Sequence, residues 1–343
     1  MIRVLHLSEH GPDFQTQRCI EHLLRRLGEG FEVRVRTIGR GGDWRSVPAG
    51  IIGLARERRA DVVHAWGVKA LMAASLVPRG PIVYSPDMEA RRGRPRFLRA
   101  VMSCRRLQVV CPTETMLRRL LRERIVAERC QVIRPGVDFG RIRKPRDPAI
   151  RAALGFGDSD YVLAACGEST RAASHEQAAW VAGILHVLDP SYKLLLWGRG
   201  SRLGAVKAFA RSATPASMLH LATERLGREA SFEEVLSAAD VIVNTAGEGG
   251  GTLPMAISMA AGVPIVSTVT RTVCELIEDR HNAVLVPKRS PRLMAQRILR
   301  LREDGELRKR LTATARAEAY EHVPLTRFLE EYRGLYRRVA GAK

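Results

Sequence analysis

The stretch Ala239-Asp-Val-Ile-Val-Asn-Thr-Ala-Gly-Glu-Gly-Gly-Gly-Thr-Leu-Pro-Met-Ala-Ile-Ser-Met-Ala-Ala-Gly-Val-Pro-Ile-Val-Ser267 decides how the chain is read. Val241-Ile242-Val243 is a short apolar run of the kind a buried strand carries, and a second such run begins at Ile265. Between them lie a glycine-rich turn and a helix of small and apolar residues that stops at Gly262. The result is a strand, loop, helix, strand unit with bare backbone at its centre. Gly249, Gly250 and Gly251 let main-chain N–H groups approach a ligand that a Cβ would hold away, and the helix that follows Thr252 turns its positive end toward an anion. The loop is built for a phosphate, with Glu248 reaching past it toward hydroxyl groups.

The same stretch is similar to the nucleotide-sugar loop of the retaining family-4 glycosyltransferases of the GT-B fold. In that family a Glu-Gly-x-Gly-Leu-Pro run leads into a helix reading Glu-Ala-Met-Ala-x-Gly-x-Pro. Here the helix reads Ile257-Ser-Met-Ala-Ala-Gly-Val-Pro264. The family's first glutamate corresponds to Glu248, with one extra residue in the glycine run, and its second, which serves the ribose hydroxyls, falls on Ile257.

The rest of the chain fits that resemblance. Residues 1–145 alternate apolar runs with helical patterns: 2–7, a helix over 16–27, a run at 32–37, a helix over 49–59, then Val62-Val63-His64. Such alternation predicts parallel βαβ units with the active face at the carboxyl ends of the strands, where His64 and Asp87 are expected. The loop after the first strand lacks a Gly-x-Gly-x-x-Gly pattern, which disfavours a dinucleotide site. Cys130-Gln-Val-Ile-Arg-Pro-Gly-Val-Asp138 resembles the family's Val-Ile-x-Asn-Gly-Val-Asp signature, and the basic, proline-containing run 141–148 reads as a linker to a second domain over 146–324.

That second domain restarts the pattern at Tyr161. In the family, the loop after its first strand carries an Arg and a Lys that clamp the nucleotide phosphates. Here Glu168 occupies the usual arginine position and Arg171 is the nearby cation. Gly198 and Arg199 close the next strand, and Glu275 lies in a segment similar to the family's Glu-Leu-Ile motif, where a short helix faces the donor. Asp158-Ser-Asp160 matches an Asp-x-Asp metal motif but precedes a strand, so it reads as a turn. The tail over 325–343 has Phe328, Leu329, Tyr332, Leu335 and Tyr336 at helical spacing, which the resemblance implies returns to the first domain.

Composition bounds the function. The chain has 343 residues, 45% hydrophobic and 27% charged, enough for two soluble α/β domains. Six scattered cysteines, without a Cys-x-x-Cys pair, suit a reducing compartment and no structural zinc. No apolar run reaches membrane-spanning length, so the expectation is a cytoplasmic protein. The net charge is +20, and residues 1–150 hold 30 Lys and Arg against 15 Asp and Glu. Arginines between Arg91 and Arg124 alternate with apolar residues at helical spacing, which predicts helices with a cationic outer face. Aromatics make up only 5%, so nucleic acid is a poorer partner than anionic lipid or a lipid-phosphate acceptor at the inner membrane face.

The expectation is therefore an α/β protein with two Rossmann-like domains facing each other across a cleft (GT-B). It would move a sugar from a nucleoside diphosphate sugar to an acceptor, for instance in cell-envelope polysaccharide synthesis, with retention and without metal or other cofactor. Asp87, His64 and Glu248 would act at the reacting sugar; Arg171, Gly198, Arg199, Gly249, Gly250, Gly251, Thr252 and Glu275 would bind the donor. The competing reading, motivated by Ile257 and Glu168, is a catalytically silent GT-B protein that binds nucleotide sugars or serves as a partner subunit.

Overall fold

The computed structural model describes residues 1–9, 11, 13–38, 60–76, 80–87, 94–104, 106–213, 215, 217–247 and 252–341. The chain forms two compact units, one of residues 1–136 with 325–343, the other of residues 137–324. The expected helix over 49–59 lies outside the described residues.

The first unit holds a six-stranded parallel sheet in the order β2-β1-β3-β4-β5-β6. These strands are β1 (Ile2–Glu9), β2 (Phe31–Ile38), β3 (Val62–Trp66), β4 (Ile82–Ser85), β5 (Leu107–Cys111) and β6 (Cys130–Val132). Both faces are covered, as the continuous apolar runs require. Val63 and Ala65 of β3 pack with Leu71, Leu98, Val101, Met116 and Leu120 from helices on one face. Val62 and Trp66 point the other way, to a core shared with Leu23 of α1 (Phe14–Arg26). The terminal helix Leu325–Gly341 lies over that second face and buries Phe328, Leu329, Tyr332, Leu335 and Tyr336 there.

The second unit has its own six-stranded parallel sheet, ordered β12-β11-β10-β7-β8-β9. It comprises β7 (Tyr161–Ala165), β8 (Tyr192–Leu196), β9 (Leu219–Leu221), β10 (Val241–Asn244), β11 (Ile265–Thr268) and β12 (Val284–Val286). This is the doubly wound Rossmann arrangement, and the α/β fold class expected from the sequence is the one observed. The order reverses between β7 and β10, which pair in register with Val243 beside Ala165. A crevice opens at such a reversal, beyond the carboxyl ends of the two strands.

The division of the chain falls at Gly136, earlier than the linker reading of 141–148 placed it. Polar contacts explain the difference. Arg141 and Arg143 reach Glu233 and Glu234 at 3.7 and 3.8 Å, Arg146 pairs with Asp240, and Asp147 N–H donates to the Ser237 carbonyl at 2.8 Å. The segment is thereby fastened to the second unit.

Candidate donor site and the strand ends of the first unit

Three loops of the second unit meet at the reversal of its sheet, and backbone packs against backbone there. Ser169 N–H donates to the Arg199 carbonyl at 2.8 Å, Arg202 N–H returns a bond to the Ser169 carbonyl at 2.8 Å, and Gly247 N–H donates to the Ala172 carbonyl at 2.7 Å. The closeness demands glycine: at Gly200 (φ +114°) a Cβ would lie 2.4 Å from the Ser169 carbonyl oxygen, and at Gly198 (φ +92°) 2.0 Å from Thr223 Oγ1. The Thr245 hydroxyl, at the end of β10, donates to the carbonyls of Ala173 and Ser174 at 2.8 and 3.0 Å.

A buried histidine locks the first of these loops. His175 begins the helix His175–Leu188; its Nε2 lies 3.3 Å from the Cys166 carbonyl, which can only accept, so Nε2 carries the proton and Nδ1 accepts from the Ser169 hydroxyl at 2.9 Å. Burial lowers its pKa to about 4 and keeps the ring neutral. Sequence reading passed over His175 because a histidine at a helix start carries no motif.

Arg171 sits exposed on the same loop. Arg199, by contrast, is held: its guanidinium stacks on Trp197 at 5.0 Å and pairs with Glu168 at 3.4 Å and Glu229 at 2.7 Å. The carboxylate found where the family keeps an arginine is thus matched by an arginine from the neighbouring loop. Thr252, buried, precedes the helix Leu253–Ala261, which ends at Gly262 in the left-handed conformation (φ +68°). Ile257 is 3% exposed within that helix, a core side chain. Glu275 closes a single turn, Val273–Glu275, and is half-buried. Glu248, Gly249, Gly250 and Gly251 lie outside the described residues. Asp158-Ser-Asp160 forms a turn before β7, with Asp160 accepting from Gly157 N–H at 2.8 Å. Among the described residues no group of three or more His, Cys, Asp or Glu is placed to hold a metal ion.

In the first unit Asp87 follows the end of β4 and is half-buried. A Cβ at Gly67 (φ +89°), just past β3, would lie 2.7 Å from an Asp87 oxygen and 2.7 Å from an oxygen of Glu9 at the end of β1. Two carboxylates therefore converge over one glycine, and Glu9 is fixed by accepting from Lys69 N–H at 2.9 Å. The sequence reading did not single out Glu9, although a glutamate ending the first strand of a parallel sheet was a usable signal.

His64 needs correction. It was expected at the carboxyl end of a strand; it is the middle residue of β3, with no exposed surface. Its ring stacks on Trp66 at 4.1 Å. A directional chain of hydrogen bonds satisfies it. Trp66 Nε1 donates to His6 Nδ1 at 2.9 Å, so His6 Nε2 carries the proton, 3.5 Å from the Tyr336 oxygen. The Tyr336 hydroxyl then donates to His64 Nδ1 at 2.7 Å, and His64 Nε2 donates to Ser85 Oγ at 2.9 Å. Burial holds His64 far below the ordinary histidine range and lowers His6 to about 3. A ring with both nitrogens committed and no surface cannot touch a sugar.

Comparison with known proteins places these features in a family. Residues 7–141 match the family described as Glycosyltransferase Family 4, and residues 164–304 the family described as Glycosyl transferases group 1. No curated protein matches the chain. Among solved structures, Anabaena HepE in complex with UDP-glucose has a TM-score of 0.81 at 17% identity, over 98% of this chain and 100% of that one. Sucrose-phosphate synthase from Thermosynechococcus elongatus gives 0.78 at 14%, over 100% of both chains. WaaG, a glycosyltransferase involved in lipopolysaccharide biosynthesis, gives 0.76 at 15%, over 98% and 99%. Two parallel doubly wound sheets and these neighbours define the class, an α/β protein of the GT-B type. The chain belongs to the family-4, group-1 glycosyltransferases.

Proposed function

We propose that the protein transfers a sugar from a nucleoside diphosphate sugar to an acceptor, with retention and without a metal ion, and that the second unit holds the donor at the reversal of its sheet. The observation that carries this is the convergence of the loops after β7, β8 and β10 on one crevice, with the exposed Arg171 on the first and the amino end of the helix Leu253–Ala261 leading from the last. Departure of the nucleoside diphosphate leaves negative charge; in this reading helix dipole, main-chain N–H groups of 249–252 and Arg171 neutralise it in place of a cation. Gly198, Arg199 and Glu275 complete the donor side, and Glu248 holds a sugar hydroxyl. With retention, the acceptor oxygen attacks from the face the diphosphate leaves, so the groups that stabilise the leaving group also stand beside the incoming one. Asp87 takes the acceptor side. That HepE has been crystallised with UDP-glucose, with UDP and glucose, and with UDP makes uridine nucleotides the first donors to test.

The test is a thermal-shift panel of UDP, GDP, ADP and their sugars, followed by transfer assays with and without EDTA and assignment of the product anomer by NMR. Stabilisation by one nucleotide family, transfer unaffected by EDTA and a retained anomer are expected. A requirement for Mn²⁺ or Mg²⁺, or an inverted product, would overturn the mechanism. A second reading, nucleotide-sugar binding without transfer, is favoured by the core position of Ile257 and by the Glu168–Arg199 pair; it predicts a thermal shift but no product.

A further inference from the structure

The loop that leaves β7 is pinned along its length. Gly167 (φ +78°) lies so close to the helix Leu253–Ala261 that a Cβ there would come within 3.2 Å of Pro254. Glu168 pairs with Arg199, and the Ser169 backbone is bonded through both its N–H and its carbonyl to the loop after β8. Thr170 Oγ1 accepts from Ala173 N–H at 3.2 Å and the Thr170 carbonyl accepts from Ser174 N–H at 3.3 Å, which closes the turn around residue 171. Ser174 is held in the left-handed region at φ +51°, a conformation that a non-glycine residue keeps only where its surroundings impose it; here the Thr245 hydroxyl grips its carbonyl at 3.0 Å.

Arg171 is the exception. Its carbonyl accepts from Ser174 Oγ at 3.3 Å, so its backbone is fixed, but the side chain is exposed, and among the described residues the guanidinium has no hydrogen-bond or carboxylate partner. Arg199 and Arg202, on the next loop, are paired with Glu168 and Glu176. The loop therefore fixes the backbone around a cation that no described carboxylate neutralises. Ser169 and His175 form its buried root. Each is 1% exposed, and the one imidazole ties Cys166, at the start of the loop, and Ser169, two residues before Arg171, to the first residue of the helix that follows.

Taking the sheet reversal as the donor site, we propose that Ser169 and His175 are positioning residues for the donor diphosphate and act through Arg171. Their hydrogen bond holds the loop in one arrangement, so that the guanidinium meets the phosphates without the loop having to be ordered at the moment of binding. Neither side chain has surface with which to touch a ligand, so the whole effect passes through the loop.

Calorimetric titration of the whole protein with UDP, GDP and ADP tests this. Wild type should bind one of them; binding of none would remove the donor reading itself. With the nucleotide that binds, Ser169→Ala should weaken affinity about fivefold, the size of one ordinary hydrogen bond. His175→Phe, which keeps a ring but neither bond, should lose at least as much. Arg171→Gln weakens binding too, and in that background Ser169→Ala should add less than about twofold, because the group it acts through is gone. A merely structural role would give the same fold-loss in both backgrounds. That result, or unchanged affinity in either single variant of the buried pair, would overturn the positioning role while leaving the donor site standing.

Discussion

His6, His64 and His175 are each buried away from water and kept neutral. Unfolding exposes them to water, where the ordinary pKa is 6.5, against about 3 for folded His6 and about 4 for folded His175. The folded values are depressed, so the unfolded chain binds protons first. Stability is therefore full above pH 6.5 and falls as pH drops from 6.5 through 4 toward 3, by about 1.4 kcal/mol per pH unit for each histidine. Urea midpoints at pH 7.5 and 5.5 should differ accordingly; equal midpoints would mean the rings are solvated. Arg171 is the residue on which donor affinity turns. If it bonds the diphosphate, Arg171→Gln removes a charge-assisted contact of about 1.5–3 kcal/mol and weakens UDP binding about ten- to a hundredfold by calorimetry, with unchanged stability because the side chain is exposed.

The loops of the donor crevice act as one piece because their backbones touch. Gly200→Ala puts a methyl group 2.4 Å from the Ser169 carbonyl and also forces φ +114° on an L-residue, so both loops must shift. A loss of about 2 kcal/mol or more in stability, together with reduced nucleotide affinity, is expected from urea titration and thermal shift; an unperturbed variant would show the loops to be independent. How much of this could be read from sequence follows from the range over which each feature is set. The strands at Val241 and Tyr161, the stop at Gly262 and the doubly wound class came from local apolar runs and turn residues, which act over a few positions. His64 was misread because the residues that bury it, Tyr332 and Tyr336, lie far along the chain: the resemblance implied that their helix returns to the first domain, but nothing in the sequence around His64 says that they pack on β3. The run 141–148 was read as a linker for a similar reason: its arginines find Glu233, Glu234 and Asp240 only after folding. Glu9 and Asp87 meet over Gly67 from the ends of different strands, which strand order decides and spacing does not.

Across the molecule, charge is the least even property. The helices Arg94–Cys104 and Glu114–Arg122 turn Leu98, Val101, Met102, Met116 and Leu120 into the core and leave Arg96, Arg99, Arg118 and Arg122 outside, joined by Arg124; Arg91, Arg92 and Arg105 lie outside the described residues. Most of their apolar surface is thus used in packing, with Leu121 left 38% exposed. Among the described residues no helix is long and apolar enough to cross a membrane. Docking on anionic lipid, if these arginines serve it, must be electrostatic, at about 1 kcal/mol per cation near the surface. Co-sedimentation with anionic but not neutral vesicles, lost in high salt and weakened by replacing Arg96, Arg99, Arg118 and Arg122 with Gln, is the expected result; equal behaviour with both vesicle types would assign the charge to a solvated surface.

The terminal helix has a consequence for how the protein is made. The chain leaves the first unit at Gly136 and supplies Leu325 to Tyr336 to the same core only after the whole second unit has been synthesised. At about 5–20 residues per second, the ribosome holds the first sheet for roughly 10–40 s with Trp66 and the His6–His64 pair uncovered, while residues 137–324 can already close on themselves. The unit translated first therefore matures last. Ribosome-bound chains stalled through an added carboxyl-terminal extension, so that residue 324 but not residue 325 has left the exit tunnel, should give a protease-resistant second unit and a protease-sensitive first one, and resistance of the first should arrive abruptly when the extension is long enough for Tyr336 to emerge.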